Sequence, residues 1–303
     1  MEDFATAFDA KVIHRLCEDV GAMHGMPEDV MSWFRENLRY NVPGGKLTRG
    51  RTAVAAVSEL GAMRTDGSID STGEEMNEDA VWVGWCLEIL QAAFLVADDI
   101  MDQSIMRRGR PAWYCRQTGV EQIAINDALM LEASVYRVLK LRCRPRTDYV
   151  DLLDLFHDVS FQTVFGQQID LLSPFKTIEG HAFDLERLES RYKAMILYKT
   201  AYYSFYLPLA AAMHIAGCST PSLFEEVRSI ALSMGELYQI QDDVLDGYGT
   251  SSDSGKVGTD IQNKKLSWNV LTAHTWHRRA AVHSGPPLRA RRSCCRGSGQ
   301  SGL

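Results

Sequence analysis

The sequence predicts an all-α protein, a bundle of helices around a central cavity, and three observations lead to this prediction. Apolar residues recur at helical spacing through most of the chain, beginning with Phe4, Phe8 and Val12. No stretch of appreciable length alternates apolar and polar residues as a half-buried strand would. Apolar residues make up 46% of the 303 positions, which is enough to fill a large core. Helices that pack around a common centre bury such faces efficiently.

The helices can be placed in order along the chain. The first segment, residues 3–40, is interrupted at Pro27, and the apolar residues after it keep helical spacing. A long apolar helix follows over residues 80–97, close to the length of a membrane span. Glu88 and Gln91 interrupt it and aspartates close it, so we expect a buried helix and no transmembrane segment. Further helices are predicted at residues 121–142, 149–172 and 184–216, the last kinked at Pro208.

Two acidic motifs of identical spacing are the most informative feature of the sequence. Asp98, Asp99 and Asp102 end the long apolar helix, and Asp242, Asp243 and Asp246 end a second apolar stretch. On a helix the first and last aspartates of each motif lie one turn apart, with Cβ atoms roughly 6 Å apart. Their repulsion is about 2–3 kcal/mol at an effective dielectric of about 20, so such a site favours a bound cation. A single motif could be a solvated helix end, whereas two matched copies suggest facing walls of one cavity.

The residues near these motifs indicate which ligand the site binds. Carboxylates without histidine or cysteine suit a hard ion such as Mg²⁺, which leaves coordination positions for phosphate oxygens. Arg107 and Arg108 follow the first motif, where their guanidinium groups can bind a diphosphate. The glycine-rich turn before Lys46 and Arg49 could bring backbone close to a phosphate, or could be an ordinary turn before a basic helix start. We therefore expect a phosphorylated substrate bridged to the protein by magnesium.

Two isolated polar positions lie in apolar surroundings. Asp170 stands among Ile169, Leu171 and Leu172, and is either a further metal ligand or a hydrogen-bonded core residue. Lys199 precedes Thr200 in a hydrophobic and aromatic segment. A buried lysine is costly unless it is paired, so an anionic ligand is a reasonable partner.

Composition narrows the possible partners and compartment. The formal net charge is -7, and every Asp and Glu lies at or before Asp260, so the body of the protein is strongly acidic. That charge argues against a nucleic-acid partner. The seven cysteines show neither disulfide nor zinc-ligand spacing, and the N-terminus lacks signal or transit features. A cytoplasmic location is therefore expected.

The composition changes near the end of the chain. Residues 274–303 contain no acidic residue, show little periodicity and are rich in Gly, Ser and Arg. Such a segment buries too little apolar surface to order itself. We predict one domain over residues 1–273 followed by a disordered or aberrant tail over residues 274–303.

With these motifs in this order, residues 27–270 resemble the trans-isoprenyl diphosphate synthases, most closely the eukaryotic branch that makes farnesyl diphosphate. The resemblance implies the isoprenoid synthase fold and a homodimer. It also implies the head-to-tail condensation of an allylic diphosphate with isopentenyl diphosphate, with release of pyrophosphate.

The resemblance also assigns roles to individual residues. It implies that three Mg²⁺ ions are held by Asp98, Asp102, Asp170 and Asp242, supported by Asp99, Asp243 and Asp246. The allylic diphosphate would be bound by Arg107, Lys199 and Lys256, and isopentenyl diphosphate by Lys46, Arg49, Gln91 and Arg108. Thr200 and Gln239 would border the reacting carbons, and Lys265 would be a further diphosphate-binding lysine.

Two departures from the family pattern leave alternatives open. Ala93 and Phe94 precede the first motif where related animal enzymes have two aromatic residues. A methyl group in place of a ring would deepen the product pocket and allow a geranylgeranyl product. Family members also continue with further helices beyond the Lys265–Trp268 region, so we expect weakened activity or low solubility. Two further interpretations remain. The protein could be a terpene cyclase, or it could be an inactive isoform that acts by dimerising with an intact partner.

Overall fold

Helices account for nearly all of the chain that the computed structural model describes, namely residues 4–23, 25–63, 71–116, 120, 122–176, 185–249, 258 and 260–283. The all-α prediction is confirmed. In chain order the helices are α1 (His14–Gly21), α2 (Glu28–Asn41), α3 (Thr48–Ala62), α4 (Ser71–Asp102), α5 (Ile123–Cys143), α6 (Tyr149–Lys176), α7 (Leu185–Ile196), α8 (Leu207–Ile215), α9 (Pro221–Tyr248) and α10 (Trp268–His283). Two π-helical segments, Phe8–Ile13 and Leu197–Tyr206, lead into α1 and α8, and a short 3₁₀ turn covers Trp113–Cys115.

Helix α4 lies in the middle of the bundle. It carries Trp85, Leu87, Ile89 and Leu90, all of which are fully buried, and it packs against α3 and α5. The rings of Phe4 and Phe8 stack on Trp85 with centroids 4.4 Å apart. By length and composition alone α4 could cross a membrane, but 72% of its most apolar window is buried inside the bundle. Its apolar character is therefore explained by its central position.

A short β-hairpin follows α4, although the sequence indicated no strand. Strands β1 (Met106–Arg107) and β2 (Arg110–Pro111) pair antiparallel across a two-residue turn. Arg108 and Gly109 have φ values of 53° and 74°, the left-handed values that such a tight turn requires. Two-residue strands carry no alternation, which is why the pattern escaped detection. The hairpin turns Arg107 back to Asp99 near the end of α4, and it brings Arg108 to the carbonyl oxygens of residues 41–43.

A buried aspartate fixes the position of the segment after the hairpin. Asp127 on α5 accepts hydrogen bonds from the indole nitrogens of Trp33 (2.9 Å) and Trp113 (2.7 Å). Asn37 donates to the Asp127 backbone carbonyl at 3.1 Å. These bonds satisfy a carboxylate that is fully buried, and they join α2, α5 and the 3₁₀ turn into one unit.

The π-helical segment Leu197–Tyr206 is held between two helices that approach it at glycines. A Cβ atom on Gly166 of α6 would lie 2.1 Å from the backbone nitrogen of Lys199. A Cβ atom on Gly235 of α9 would lie 2.4 Å from the Cβ of Ala201. Both glycines therefore allow backbone contact that any side chain would prevent. π-Helical turns often occur at functional sites, and this one carries Lys199 and Thr200.

Helix α10 passes through residue 273, where the sequence predicted the tail to begin. Its first turns pack Leu271, together with Leu266, against Tyr192, Met195 and Ile196 of α7. This contact orders the start of the helix, and the helix continues to His283. Residues 284–303 lie outside the described residues. The division into a domain and a tail stays a prediction.

Replacement of Gly166 by alanine is expected to destabilise the protein, because the added methyl group cannot coexist with the Lys199 backbone at the present helix separation. Overpacking of this kind costs about 1–3 kcal/mol. The measurement is the free energy of unfolding from urea denaturation. Gly21→Ala is the control, since a Cβ atom there meets nothing within 4 Å. Equal stability of the two variants would contradict the assigned helix contact.

Candidate active site

A cavity of about 860 Å³ opens between α4, α6, the second π-helical segment, α9 and residues 260–266. It is large enough for two small substrates, since ligand pockets usually measure about 300–1,000 Å³. Most of the residues selected from the sequence line this one cavity: Arg49, Gln91, Phe94, Asp98, Asp102, Arg107, Arg108, Asp170, Lys199, Thr200, Gln239, Asp242, Asp243, Asp246 and Lys265. Acidic residues from α4 and α9 thus share one space.

Four other selected residues have different positions. Lys46 is exposed and Asp99 is buried beside the hairpin, and neither lines the cavity. Ala93 is buried in the core, with an exposed fraction of 4%, and is also absent from the cavity wall. Lys256 lies outside the described residues.

The carboxylates of the first wall are paired with lysines. Lys199 Nζ lies 2.5 Å from Asp170 and 3.3 Å from Asp98. Lys265 Nζ binds Asp102 and lies 3.4 Å from Asp170. The two ammonium groups therefore bridge three carboxylates that would otherwise repel one another. The protein's own lysines therefore compensate the negative charge of these three carboxylates.

The pKa values of Asp98 and Lys199 reflect these ion pairs. Burial alone raises the pKa of Asp98, but the ammonium groups of Lys199 and Lys265 and the Arg107 guanidinium outweigh burial and lower that pKa to about 2. For Lys199 burial lowers the pKa, and the neighbouring Asp98 and Asp170 carboxylates reverse this and raise it. Both groups are therefore charged at neutral pH.

Asp99 orients Arg107 from outside the cavity. The Arg107 Nε and Nη2 atoms donate to Asp99 Oδ1 at 3.0 and 2.6 Å, and Nη2 lies 3.4 Å from Asp98. Asp99 itself is 3% exposed. Although the resemblance grouped Asp99 with the metal-binding motif, its place in the structure is that of a partner for the arginine.

Asp243 of the second motif is likewise bound to protein groups. It accepts hydrogen bonds from Tyr192 Oη (2.5 Å), Gln239 Nε2 (2.9 Å) and the Trp268 backbone nitrogen (2.7 Å). Gln239 Oε1 in turn accepts a hydrogen bond from Thr200 Oγ1 at 2.6 Å. Asp243 therefore connects α7, α9 and α10, and through Gln239 it positions Thr200.

The donor set of the cavity suits a hard cation. Asp98, Asp102, Asp170, Asp242 and Asp246 all present carboxylate oxygens, and such ligands favour Mg²⁺. Among the described residues no group of three or more His, Cys, Asp or Glu side chains is already arranged to hold a metal ion. In the structure Lys199 and Lys265 bind Asp98, Asp102 and Asp170. The oxygen-only donor set fits Mg²⁺.

The basic side of the cavity is built around two arginines. Arg49 Nη2 donates to Tyr203 Oη (3.0 Å) and Ser204 Oγ (2.6 Å), with the guanidinium over the Tyr203 ring. The Arg49 Nε atom is buried and has no hydrogen-bond partner among the described residues. Arg108 Nη1 donates to the carbonyl oxygens of residues 41–43 at 2.9–3.3 Å.

The glycine-rich turn lies against two arginine side chains. The sequence left open whether its glycines bring backbone close to a phosphate or form an ordinary turn before a basic helix start. A Cβ atom on Gly45 would lie 2.9 Å from the Arg108 guanidinium, and one on Gly44 would lie 2.9 Å from Arg110 Nη2. The glycines make room for arginine side chains, and the turn holds those arginines through its carbonyl groups.

Two further residues of the site were missed from the sequence. Gln167 Nε2 donates to Asp98 Oδ1 at 2.9 Å, and Tyr203 packs edge-on against Phe94 with centroids 5.5 Å apart. Gln167 lies three residues before Asp170 on α6, so helical spacing places both on one face. That spacing could have identified Gln167, whereas the Tyr203 position depends on the π-helical turn.

Comparison with known proteins agrees with this arrangement. Residues 31–283 match the polyprenyl synthetase family. Farnesyl pyrophosphate synthase of Saccharomyces cerevisiae is 44% identical over 266 residues, covering 86% of this chain and 73% of the yeast protein. The Gallus gallus farnesyl pyrophosphate synthase is 48% identical over 271 residues, covering 89% and 70%. A solved structure of T. brucei farnesyl diphosphate synthase with minodronate superposes with a TM-score of 0.81 at 32% identity, covering 90% of this chain and 77% of that one.

The helical bundle and its acidic cavity thus define a prenyl-transferring enzyme of the isoprenoid synthase fold. The chain belongs to the polyprenyl synthetase family. The expectation drawn from the motifs about fold and family is confirmed.

Replacement of Lys265 by methionine is expected to tighten the binding of Mg²⁺ in the absence of any diphosphate. The ammonium group of Lys265 binds Asp102 and lies 3.4 Å from Asp170. Removing it frees Asp102 for a cation, while Lys199 still pairs with Asp170. We expect the affinity to rise on the order of tenfold, since a unit charge a few ångströms away is worth a few kcal/mol at most. Calorimetric titration with MgCl₂ measures the change.

The matched control is Lys264→Met, because Lys264 is the exposed neighbour of Lys265. It should leave the Mg²⁺ affinity unchanged. If Lys265→Met also bound Mg²⁺ as the unaltered protein does, the lysine would not be competing with the metal.

Proposed function

We propose that this protein condenses an allylic diphosphate, dimethylallyl and then geranyl, with isopentenyl diphosphate to give farnesyl diphosphate and pyrophosphate, with Mg²⁺ as cofactor. The observation that carries the proposal is the shared cavity, which is lined by Asp98 and Asp102 of α4, by Asp242 and Asp246 of α9, and by Lys199. The proposal agrees with the names of the yeast and chicken relatives.

The reaction breaks the bond between the allylic C1 and a diphosphate oxygen, forms a carbon–carbon bond to the isopentenyl double bond, and releases a proton. In our proposal Asp98, Asp102, Asp170 and Asp242 would hold three Mg²⁺ ions, and the bound metal would neutralise charge on the leaving diphosphate. Lys199 and Arg107 bind the same diphosphate from the protein side, and we assign Lys256 to it as well. Preorganised cations of this kind stabilise the leaving group as its charge grows.

The second substrate is assigned to the basic side of the cavity. Arg49, Gln91 and Arg108 line that side, and a guanidinium suits a diphosphate because it offers paired donors. Lys46 lies exposed at the turn before α3 and would reach the same ligand from the rim. Thr200 and Gln239, joined by a hydrogen bond, border the space between the two sides. The released proton goes to the departing pyrophosphate.

Apolar residues protect the reacting carbon from water. Phe94, Leu95, Ala97, Leu171 and Met195 line the cavity beyond the aspartates. An allylic carbon that carries positive charge would otherwise be captured by water before the second substrate attacks. The same residues provide space for the growing hydrocarbon tail.

The assembly and location of the protein are further proposals. We propose a homodimer, because α5 and α6 expose large apolar side chains at helical spacing, namely Ile125, Leu129, Phe161, Val164 and Phe165. Large exposed apolar patches usually mark contacts with another chain. A cytoplasmic location and a role in sterol biosynthesis follow from the same family resemblance.

Separate replacement of Asp98 and Asp242 by alanine should each reduce turnover by roughly 10²–10³-fold, because each change removes a carboxylate that we assign to the metal. The assay supplies geranyl diphosphate, isopentenyl diphosphate and MgCl₂ and follows pyrophosphate release. Thermal unfolding checks that the fold survives. Asp158→Ala, at an exposed position of α6, is the control. Near-normal turnover in either cavity variant would refute the assignment.

The product is expected to contain fifteen carbons. The geranylgeranyl alternative rests on the small side chain of Ala93, but Ala93 is buried away from the cavity wall while the Phe94 ring lines it. Chromatography of the products from labelled isopentenyl diphosphate measures the length. A C20 product would favour the alternative, and product without isopentenyl diphosphate would indicate a cyclase.

A further inference from the structure

Glu88 is a buried carboxylate that the proposed reaction does not use. It lies in the middle of α4 with an exposed fraction of 1%. A carboxylate in such a position is costly unless the surrounding protein provides hydrogen bonds or opposite charge. Its contacts lead to the start of helix α3, which carries Arg49.

Helix α3 begins without a capping side chain of its own. The residue before it is Leu47, which has a left-handed φ of 52° and makes no side-chain hydrogen bond to the helix. The first backbone N–H groups of a helix have no partner within the helix and need an acceptor. Glu88 Oε1 supplies one, accepting the Gly50 N–H at 2.8 Å. Glu88 therefore caps α3 from a neighbouring helix.

The same face of α4 also fixes the distance between the two helices. Gly84 lies one turn before Glu88, and a Cβ atom on Gly50 would lie 2.7 Å from the Gly84 carbonyl oxygen. The ring of Phe4 closes the contact, 2.4 Å from the same hypothetical Cβ. Backbone contact at Gly50 and capping by Glu88 together define where α3 starts.

Glu88 also lies near the cations assigned to the second diphosphate. Burial raises its pKa, and the Gly50 N–H, Arg49 and Arg108 act in the opposite direction. Burial lowers the pKa of the Arg108 guanidinium, and the Glu88 carboxylate acts in the opposite direction. Gln91 lies three residues further along α4, on the cavity wall.

We propose that Glu88 is a positioning residue for isopentenyl diphosphate: by capping α3 it fixes the backbone that directs Arg49 into the cavity. The inference rests on the proposed function, since it concerns the second substrate of that reaction. Glu88 contacts the helix start rather than the ligand. Its effect should therefore be selective for the substrate that Arg49 binds and should leave the allylic side, held by Lys199 and Arg107, unaffected.

Two variants of Glu88, whose new side chains have the same length, test this selectivity. Glu88→Gln keeps an acceptor oxygen for the Gly50 N–H, whereas Glu88→Met has the same length and no comparable acceptor, and neither is charged. We expect Glu88→Met to raise the KM for isopentenyl diphosphate about tenfold, within the range known for lost helix caps, with the KM for geranyl diphosphate unchanged. Glu88→Gln should stay within about threefold of the unaltered protein for both substrates, since its cap is intact.

A second measurement reports on the helix start directly. Hydrogen–deuterium exchange of the segment containing Arg49 and Gly50 should speed up in Glu88→Met and remain slow in Glu88→Gln. This readout needs no turnover, so it applies even where a variant has lost stability. The controls are Glu59→Gln and Glu59→Met, the same changes at an exposed position of α3.

The outcomes separate the inference from the function on which it rests. Equal effects of Gln and Met would assign the role to charge and overturn capping. A parallel rise in both KM values, or unchanged exchange in Glu88→Met, would also overturn it. If the unaltered protein made no product from the two diphosphates, the proposed function would fail, while the exchange comparison would still decide whether Glu88 caps α3.

Discussion

The structure depends on the charge balance between lysines and aspartates inside one cavity. Asp98, Asp102 and Asp170 come together from α4 and α6, and carboxylates this close cannot coexist without positive charge. Lys199 and Lys265 provide it, each bridging two of them. These lysines are two of the groups that the family resemblance assigns to diphosphate. The same residues therefore serve as counter-ions of the cavity aspartates and as candidate ligands for substrate.

The backbone is shaped so that these charges can meet. Lys199 comes from a π-helical turn, and that turn lies where it does because Gly166 and Gly235 let α6 and α9 approach it. The arginines on the opposite side are placed by a comparable device, since Gly44 and Gly45 leave room for Arg110 and Arg108. At Gly166 and Gly235 the missing side chain admits the backbone of the π-helical turn, and at Gly44 and Gly45 it admits an arginine side chain. The glycines therefore help to determine where the cationic side chains of the cavity lie.

Much of this could be predicted from the sequence, and the reasons are specific. The acidic motifs could be recognised because each one is an apolar run that ends in regularly spaced aspartates. Their repetition predicted that the two motifs face each other across one cavity. Helical periodicity placed α5 and α6 within a few residues of their observed bounds, and it found the apolar part of α4, which begins at Ser71 rather than at residue 80. The hairpin at Met106–Pro111 was missed because its strands are too short to alternate. The contact between Gly44 and Arg110 could not be predicted, because nothing local shows which arginine lies over the turn. Contacts between residues far apart in the chain, such as Gln167 with Asp98, leave little trace in a single sequence.

The hydrogen bonds of the second acidic motif tie opposite parts of the cavity together mechanically. Asp246 accepts the Asp260 backbone N–H at 3.0 Å and Asp243 accepts that of Trp268 at 2.7 Å. Lys265 lies between these two anchor points and reaches across to Asp102. The short segment that carries Lys265 is thus held on both sides by carboxylates of α9, and the ion pair on the far wall takes its position from a helix that carries neither of its two residues.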